Sequence, residues 1–289
     1  MALYELKTAV PLAAIEQIED LLAELEEQRL MVLEDKPLAL AWVVGYFESQ
    51  DDAITAWKRL GLAADAEWGR VTPDLRELPD VDWKESYKAH FKASKFGRLN
   101  WVPVWECESF ILPSGEAVLW LDPGMAFGTG NHETTRLCCE RLAQYAVHRG
   151  SAGRVIDAGC GSGILALSAA KLGFRNIVGF DNDPEAIRVS EENAVLNGMA
   201  GSVSFQVGDL ITGLAGREAE LVLANIQADV LIRFVTELCS AVAPGGELVL
   251  SGILSRELDE VKSKFSAAAQ SWTVESRVMG EWADLSLRR

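Results

Sequence analysis

The sequence predicts an α/β fold in which a mostly parallel sheet carries a ligand seat at its centre, preceded by a small α+β unit. Three observations lead there. An apolar run, Val155-Ile156, stops at Asp157, passes glycines at 159, 161 and 163, and resumes with helical spacing at Ile164, Leu165, Leu167 and Leu172, which reads as a strand, a tight turn and a helix. Residues 176–181, Asn-Ile-Val-Gly-Phe-Asp, read as the next buried strand and end in an acid about 20 residues beyond the turn. The 289 residues, 49% of them hydrophobic, suffice for one large domain and a smaller one.

The glycine turn is a seat for a nucleotide or cofactor, because a turn without side chains lets backbone N–H groups come close to a ligand. Spacing narrows the choice. A dinucleotide fingerprint needs G-x-G-x-x-G, yet the third glycine is Gly163 and position 164 is Ile; no G-x-x-x-x-G-K-[ST] phosphate loop occurs. What remains, D-x-G-x-G-x-G from Asp157 through Gly159 and Gly161 to Gly163, resembles the first motif of the class I methyltransferases that bind S-adenosylmethionine. That ligand has no phosphate, which agrees with the absence of Lys and Arg from the loop. Asp181 then stands at the offset of a ribose-binding carboxylate, the competing reading being a turn or cap residue before Asp183-Pro184.

Charge bounds the partners. With 43 Asp and Glu against 27 Lys and Arg, a formal net charge of −16 argues against direct nucleic-acid binding and favours a basic protein partner, although such an excess also simply keeps a protein soluble. The five cysteines (Cys107, Cys138, Cys139, Cys160, Cys239) form no C-x-x-C and the three histidines do not cluster, so neither disulfides nor a metal site are expected. Cys160 lies in the glycine turn without a nearby His to activate it. The most apolar stretch, 38–47, is too short to span a bilayer and no signal pattern opens the chain, so a cytoplasmic protein with no membrane contact is expected.

Taken in order, residues 1–71 read as a ferredoxin-like βαββαβ unit: a strand over 3–10, an amphipathic helix over 13–27, strands over 29–33 and 38–47, a helix over 51–60 and a last short strand near 67–71. Residues 72–105 form an aromatic connector in which Trp83, Tyr87 and Phe91 share a helix face; the interleaved lysines at 84, 88, 92 and 95 allow base stacking, but packing against a neighbour is the favoured reading. Residues 106–289 form the large domain, beginning with a hairpin over 109–121 around Pro113-Ser114-Gly115. A helix over 133–147 follows. Beyond the glycine turn come a strand over 203–209 ending at Asp209, a fourth over 221–226 with Asn225 at its carboxyl end, where open α/β sheets hold ligands, and a fifth over 247–253. A helix over 256–269 and an antiparallel hairpin over 272–279 and 283–288 close the chain.

A second glycine-rich loop makes the resemblance specific. Asp122-Pro123-Gly124-Met125-Ala126-Phe127-Gly128-Thr129-Gly130-Asn131-His132-Glu133-Thr134-Thr135 resembles the D-P-G-x-A-F-G-T-G-x-H-x-T-T signature of the methyltransferases that modify the eleventh protein of the large ribosomal subunit, and residues 157–165 match that family's cofactor loop. The resemblance implies a Rossmann-like class I methyltransferase sheet of seven strands, S-adenosylmethionine as cofactor, and methyl transfer to lysine or N-terminal amines of that basic ribosomal protein. It further implies cofactor contacts from Thr135, Gly159, Asp181 and Asn225, with Phe127, Gly128 and Thr129 covering the cofactor and Asn225 also at the reaction centre. Asp157, Gly161 and Asp209, the last facing the adenine amine, complete the expected site, and residues 1–71 correspond to the family's substrate-recognition domain. A monomer is expected. Two departures bear on the substrate: the family's Asn-Ile-Leu-Ala reads Asn225-Ile226-Gln227-Ala228, followed by Asp229, and His-Pro-Thr-Thr reads His132-Glu133-Thr134-Thr135. Another lysine-bearing protein as substrate and a non-catalytic cofactor-binding module associated with the ribosome are the alternative readings.

Overall fold

The computed structural model describes residues 3–25, 27, 29–35, 40–64, 67–78, 92–122 and 132–289. They belong to two compact units, Met1–His90 and Phe91–Arg289.

In the first unit β1 (Leu3–Val10), α1 (Ile15–Glu24), β2 (Leu30–Asp35), β3 (Leu40–Phe47), α2 (Gln50–Ala64) and β4 (Asp74–Leu78) follow one another. The sheet order β2-β3-β1-β4, antiparallel throughout, is the ferredoxin-like arrangement. Period-two alternation sends Leu6, Val10, Val43 and Phe47 to the helix side, where they meet Ile18 of α1 and Trp57 and Leu60 of α2. The last strand differs from the sequence expectation. Residues Glu67–Arg70 form a 3-10 turn and the strand begins at Asp74. The cause is a contact between two glycines: a Cβ on Gly61 of α2 would lie 2.2 Å from the Gly69 carbonyl oxygen, so helix and turn touch backbone to backbone. Trp57 Nε1 then donates to Val71 O at 2.7 Å, holding the turn and the residue after it on the helix rather than on the sheet edge.

The second unit opens with a small sheet, β5 (Ser94–Phe96), β6 (Leu99–Pro103) and β7 (Ala117–Leu121), in which β6 runs antiparallel to β5 but parallel to β7. The expected hairpin over 109–121 is therefore absent. Residues 107–110 curl back on residues 104 and 106, with Cys107 N–H donating to Val104 O and Phe110 N–H to Glu106 O, so no strand runs up to Pro113. What β7 pairs with instead is β6, buried along its whole length and tied into the core by Trp101 Nε1 donating to Ser168 Oγ at 2.9 Å. The residues expected as a connector, 72–105, supply β4 to the first sheet and β5 and β6 to the second, while the Trp83, Tyr87 and Phe91 helix face lies outside the described residues.

The main sheet is built by β8 (Arg154–Ala158), β9 (Asn176–Asp181), β10 (Ser204–Val207), β11 (Ala219–Asn225), β12 (Val242–Leu254), β13 (Thr273–Met279) and β14 (Trp282–Arg288) in the order β10-β9-β8-β11-β12-β14-β13. The first five in that order are parallel; β14 is antiparallel to both neighbours. One face packs Val155, Leu221, Leu223 and Val249 against α3 (Glu133–Arg149), α4 (Ile164–Lys171) and α5 (Pro184–Leu196). The other packs Ile156, Val222, Leu248 and Leu250 against α6 (Ala228–Arg233), α7 (Val235–Ser240) and α8 (Leu258–Ala268). The strand order reverses at β8, and the carboxyl ends of β8, β9 and β11 meet at that switch point, where ligands bind in open sheets.

Across β13 and β14 a buried ion network fixes α3. Arg141 Nε and Nη2 donate to the two oxygens of the fully buried Asp284 at 3.0 and 2.9 Å, and Arg277 Nε donates to the same carboxylate at 2.9 Å. Arg277 also reaches back to α3, donating to Glu140 Oε2 and Leu137 O. Removing one partner of such a group strands the others in low dielectric, so Asp284→Asn is expected to lower the urea-unfolding stability of this unit by about 3 kcal/mol. A loss below about 1 kcal/mol, the range of solvent-screened pairs, would mean that the network is hydrated rather than dry.

Candidate functional site

The glycine turn needs its glycines for geometry. Gly159, Gly161 and Gly163 have φ of 73°, 50° and 75°, in the left-handed region that side chains disfavour. The turn is braced from two neighbours. On the β9 side, the Phe180 carbonyl accepts the N–H groups of both Gly159 and Cys160 at 2.9 Å, and Asp181 Oδ2 accepts Gly161 N–H at 2.9 Å. On the α5 side, Ser190 Oγ donates to Gly161 O at 2.7 Å and Asn193 Nδ2 to Ser162 O at 2.9 Å. Asp181 Oδ1 accepts Asp183 N–H at 3.1 Å, while α5 is capped by Asp183 accepting from Glu185 N–H. The cap and the carboxylate at the turn are thus two residues, and Asp181 keeps lone pairs for a ligand. Burial pushes the Cys160 thiol well above its ordinary range, with Asp157 adding to the shift, so it is no nucleophile at neutral pH.

Asp157 lies one residue before the end of β8 and is 1% exposed. Its Oδ2 accepts Ala166 N–H from α4 at 2.9 Å; Oδ1 has no partner among the described residues. Burial raises its pKa to about 7, opposed by the Ala166 hydrogen bond and reinforced by Asp181.

The third strand end brings in Asn225. Its Nδ2 donates to Thr135 Oγ1 at 3.2 Å, and Thr135 is buried in the first turn of α3. The start of α3 is anchored in turn by Ser251 Oγ donating to Thr134 O at 2.9 Å and by His132, whose Nδ1 accepts Thr134 N–H as the helix cap and whose ring meets Trp282 edge-on at 4.8 Å. His132 is a capping residue in this arrangement. Ile226 follows Asn225 and sits between two glycines: a Cβ on Gly159 would lie 2.5 Å from Ile226 Cγ2, and one on Gly252 only 2.3 Å from Ile226 O. Gly252 has φ of 83° and falls where the pairing of β12 with β14 shifts register between Leu250 and Ile253.

The structure therefore brings Thr135, Asp157, Gly159, Gly161, Asp181 and Asn225 to neighbouring strand ends and the helix start beside them. Asp209 stands beyond β10, its Oδ1 accepting N–H groups of Ile211 and Thr212 and the Thr212 hydroxyl, which together hold its carboxyl below the usual range. Phe127, Gly128 and Thr129 lie outside the described residues. Gln227 occupies the N-cap position of α6 without a side-chain capping bond and Asp229 lies in its first turn, where an acid is favoured by the helix dipole; both are exposed. Sequence reasoning missed Ser190, Asn193 and Gly252. The two α5 residues bear no local signal, whereas a glycine inside an apolar strand marks a bulge or a close backbone approach. Among the described residues no group of three or more His, Cys, Asp or Glu could hold a metal, and no helix is long and apolar enough to cross a membrane.

The seat is compatible with S-adenosylmethionine. The glycine turn holds a left-handed backbone that bears no side chain of its own, the Asp181 carboxylate stands at the ribose offset, and Asp157 contributes an orphaned buried acceptor of the sign that a cationic amino acid moiety requires. Comparison with known proteins agrees. Residues 6–289 match the family described as ribosomal protein L11 methyltransferase (PrmA). Relatives of that name from Geobacter metallireducens and Geobacter sp. strain M21 are 35% identical over 300 residues and 37% over 308, covering 97% and 99% of this chain and 96% and 97% of their own. The crystal structure of ribosomal protein L11 methylase from Lactobacillus delbrueckii subsp. bulgaricus superposes with a TM-score of 0.60 at 30% identity, covering 69% of this chain and all but 1% of its own, since its share is 99%.

Two outcomes are expected of this geometry. Gly252→Ala must move the Asn225-Ile226 backbone and accept a strained φ, and should cut methyl transfer at least about tenfold, while lowering stability by about 1–3 kcal/mol; wild-type turnover would show that the loop yields freely. For Asp157 the folded pKa of about 7 exceeds the ordinary 3.8, so the native state binds the extra proton and ligand-free stability declines as pH rises from about 4 to about 7. Asp157→Asn lacks this penalty. Its melting temperature relative to the parent should rise between pH 5 and pH 8, and a pH-independent difference would contradict the buried-carboxylate reading.

Proposed function

The chain belongs to the ribosomal protein L11 methyltransferase family, and from that premise we propose that it transfers methyl groups from S-adenosylmethionine to lysine side-chain amines, the N-terminal amine or both, of ribosomal protein L11. The observation that carries the reading is the meeting of a braced glycine turn, the Asp181 carboxylate and an Asn225 amide oriented by Thr135. When bound, the cofactor supplies a methyl group activated on a cationic sulfur. Everything else is alignment and control of charge, since an amine attacking in line needs no metal and no covalent nucleophile.

Asp181 accepts the ribose hydroxyls with the lone pairs left over from Gly161 and Asp183. Asp209, held ionised by Thr212, faces the adenine amine. Asp157 takes the amino group of the methionine moiety, Gly159 and Gly161 allow the close approach, Thr135 lines the other side, and Phe127, Gly128 and Thr129 cover the ligand. Because Asn225 Nδ2 is engaged by Thr135, its carbonyl oxygen is the atom turned to the reacting amine, which it holds with the lone pair aimed away from itself. The apolar surface of Ile226 and Phe127 favours the neutral amine by excluding water. The first unit, with β4 as its edge strand, recognises the substrate and the second, with β5 and β6, catalyses; the acidic chain suits a basic target, and the enzyme works as a cytoplasmic monomer.

Labelled S-adenosylmethionine mixed with unmethylated total ribosomal protein tests the reading. Label on L11 located by mass spectrometry supports it; label on another protein would shift the assignment to a different lysine-bearing substrate, with exposed Gln227 and Asp229 beside the amine as the first residues to exchange. Asp181→Ala should weaken cofactor binding about 10- to 100-fold by calorimetry, the range for hydrogen bonds to a charged group. Asn225→Ala should lower kcat about 100-fold or more with a smaller loss of affinity. Unchanged affinity in the first variant would count against the site.

A further inference from the structure

The helix that braces the glycine turn also reaches a second strand. Ser190 and Asn193, which hold the Gly161 and Ser162 carbonyls, stand at i and i+3 on α5, and Asn197, the residue that caps its carboxyl end, stands at i+7 on the same face. Asn197 is 8% exposed and both N–H donors of its carboxamide are engaged. Its Oδ1 accepts Trp120 N–H at 2.7 Å, while Nδ2 donates to Trp120 O and to Asn193 O, each at 2.9 Å. Lys171 Nζ, from the last residue of α4, donates to the Asn197 carbonyl at 3.2 Å.

Ending a helix does not require such a reach. Asn197 N–H donating to Asn193 O and Gly198 N–H to Val195 O close α5 without any side chain. The carboxamide instead acts as a neighbouring strand would, donating to one carbonyl and accepting from one N–H on the outer strand of the order β5-β6-β7. Trp120 is the last residue but one of β7, and Asp122, where the second glycine-rich segment begins, comes two residues later. The other end of that segment is held at His132, the cap of α3. Phe127, proposed above to cover the cofactor, follows Asp122 by five residues and so stays within about 18 Å of it in any conformation. On so short a tether the root decides the reach.

We infer, on the reading of the glycine turn as the cofactor seat, that Asn197 is a positioning residue for methyl transfer: through α5 it sets the end of β7, the root of the second glycine-rich segment, at a fixed distance from the turn. Its action runs through Trp120 on one side and through Ser190 and Asn193 on the other. Order at the turn and order at β7 are then linked, so a ligand that steadies one steadies the other.

Backbone amide exchange followed by nuclear magnetic resonance in the full-length protein, with and without S-adenosylmethionine, tests this together with calorimetry. In the parent the Trp120 amide should exchange about fivefold or more slowly once the cofactor is bound. Asn197→Ala should abolish that slowing and raise the cofactor Kd about tenfold, with KM for the protein substrate kept within about twofold. Asn197→Asp, equal in size but lacking the two donors, should raise Kd about threefold or more and serves if the alanine variant does not fold. Lys171→Met removes the other bond at this helix end; it should lower the melting temperature yet leave Kd within about twofold, which a merely structural Asn197 would match. An unslowed Trp120 amide in the parent, an unchanged Kd in the Asn197 variants, or an equal rise in Lys171→Met would each overturn the inference. A parent that fails to bind S-adenosylmethionine would overturn the cofactor seat and this inference with it, whereas a parent that binds and transfers methyl groups no better than Asn197→Ala would overturn this inference alone.

Discussion

The catalytic unit depends on the placement of Ile226 between Gly159 and Gly252. Its side chain touches the position where Gly159 would carry a Cβ, and its carbonyl touches the corresponding position of Gly252, so β11 and β12 meet backbone to backbone while the turn after β8 packs against the Ile226 side chain. A side chain at Gly252 would push the ends of β11 and β12 apart by more than a hydrogen bond tolerates, and one at Gly159 would displace the Ile226 side chain. Asn225 is one residue away and inherits the precision. The β12 register shift at Gly252 bends the strand toward Ile226, whose N–H donates to Ser251 O at 3.2 Å, and Ser251 then holds Thr134 through its side chain.

Charge at this convergence is of one sign. Asp157 and Asp181 stand at the ends of adjacent strands, and the Asp181 carboxylate helps raise the pKa of Asp157. Such a seat repels phosphate and attracts a cation, in keeping with a cofactor that joins a sulfonium and an ammonium to a ribose. The missing Lys or Arg in the turn and the acids around it are one electrostatic choice.

Most of the catalytic domain was legible from period and punctuation. Strand ends at Asp157, Asp181 and Asn225 fall where apolar runs stop, and glycines at 159, 161 and 163 announce a turn that only positive φ can make. What escaped was set by contacts between residues distant in sequence. Nothing near Ser190 or Asn193 says that they will brace carbonyls about 30 residues earlier. The last strand of the first unit slipped past residues 67–71 because Gly69 meets Gly61, and the pattern around Pro113 resembled a hairpin although the partner of β7 is β6, upstream of the loop. Local patterns specify strands; pairing is decided by what the strands bury.

The antiparallel pair β13 and β14 extends the sheet and, through its link to α3, also supports the candidate site. Asp284 on β14 grips Arg141 on α3 through two hydrogen bonds, and Arg277 on β13 closes the loop by reaching Glu140 and Leu137 O. A helix held by two parallel bonds to a buried carboxylate can neither slide nor rotate without stranding charge. Its first turn carries His132 as cap and the buried Thr134 and Thr135, and Thr135 orients Asn225. The hairpin thus fixes the middle of a helix whose first turn orients the Asn225 amide proposed for the reaction centre, so the closing strands and the glycine turn, on opposite sides of β11, position the same side chain.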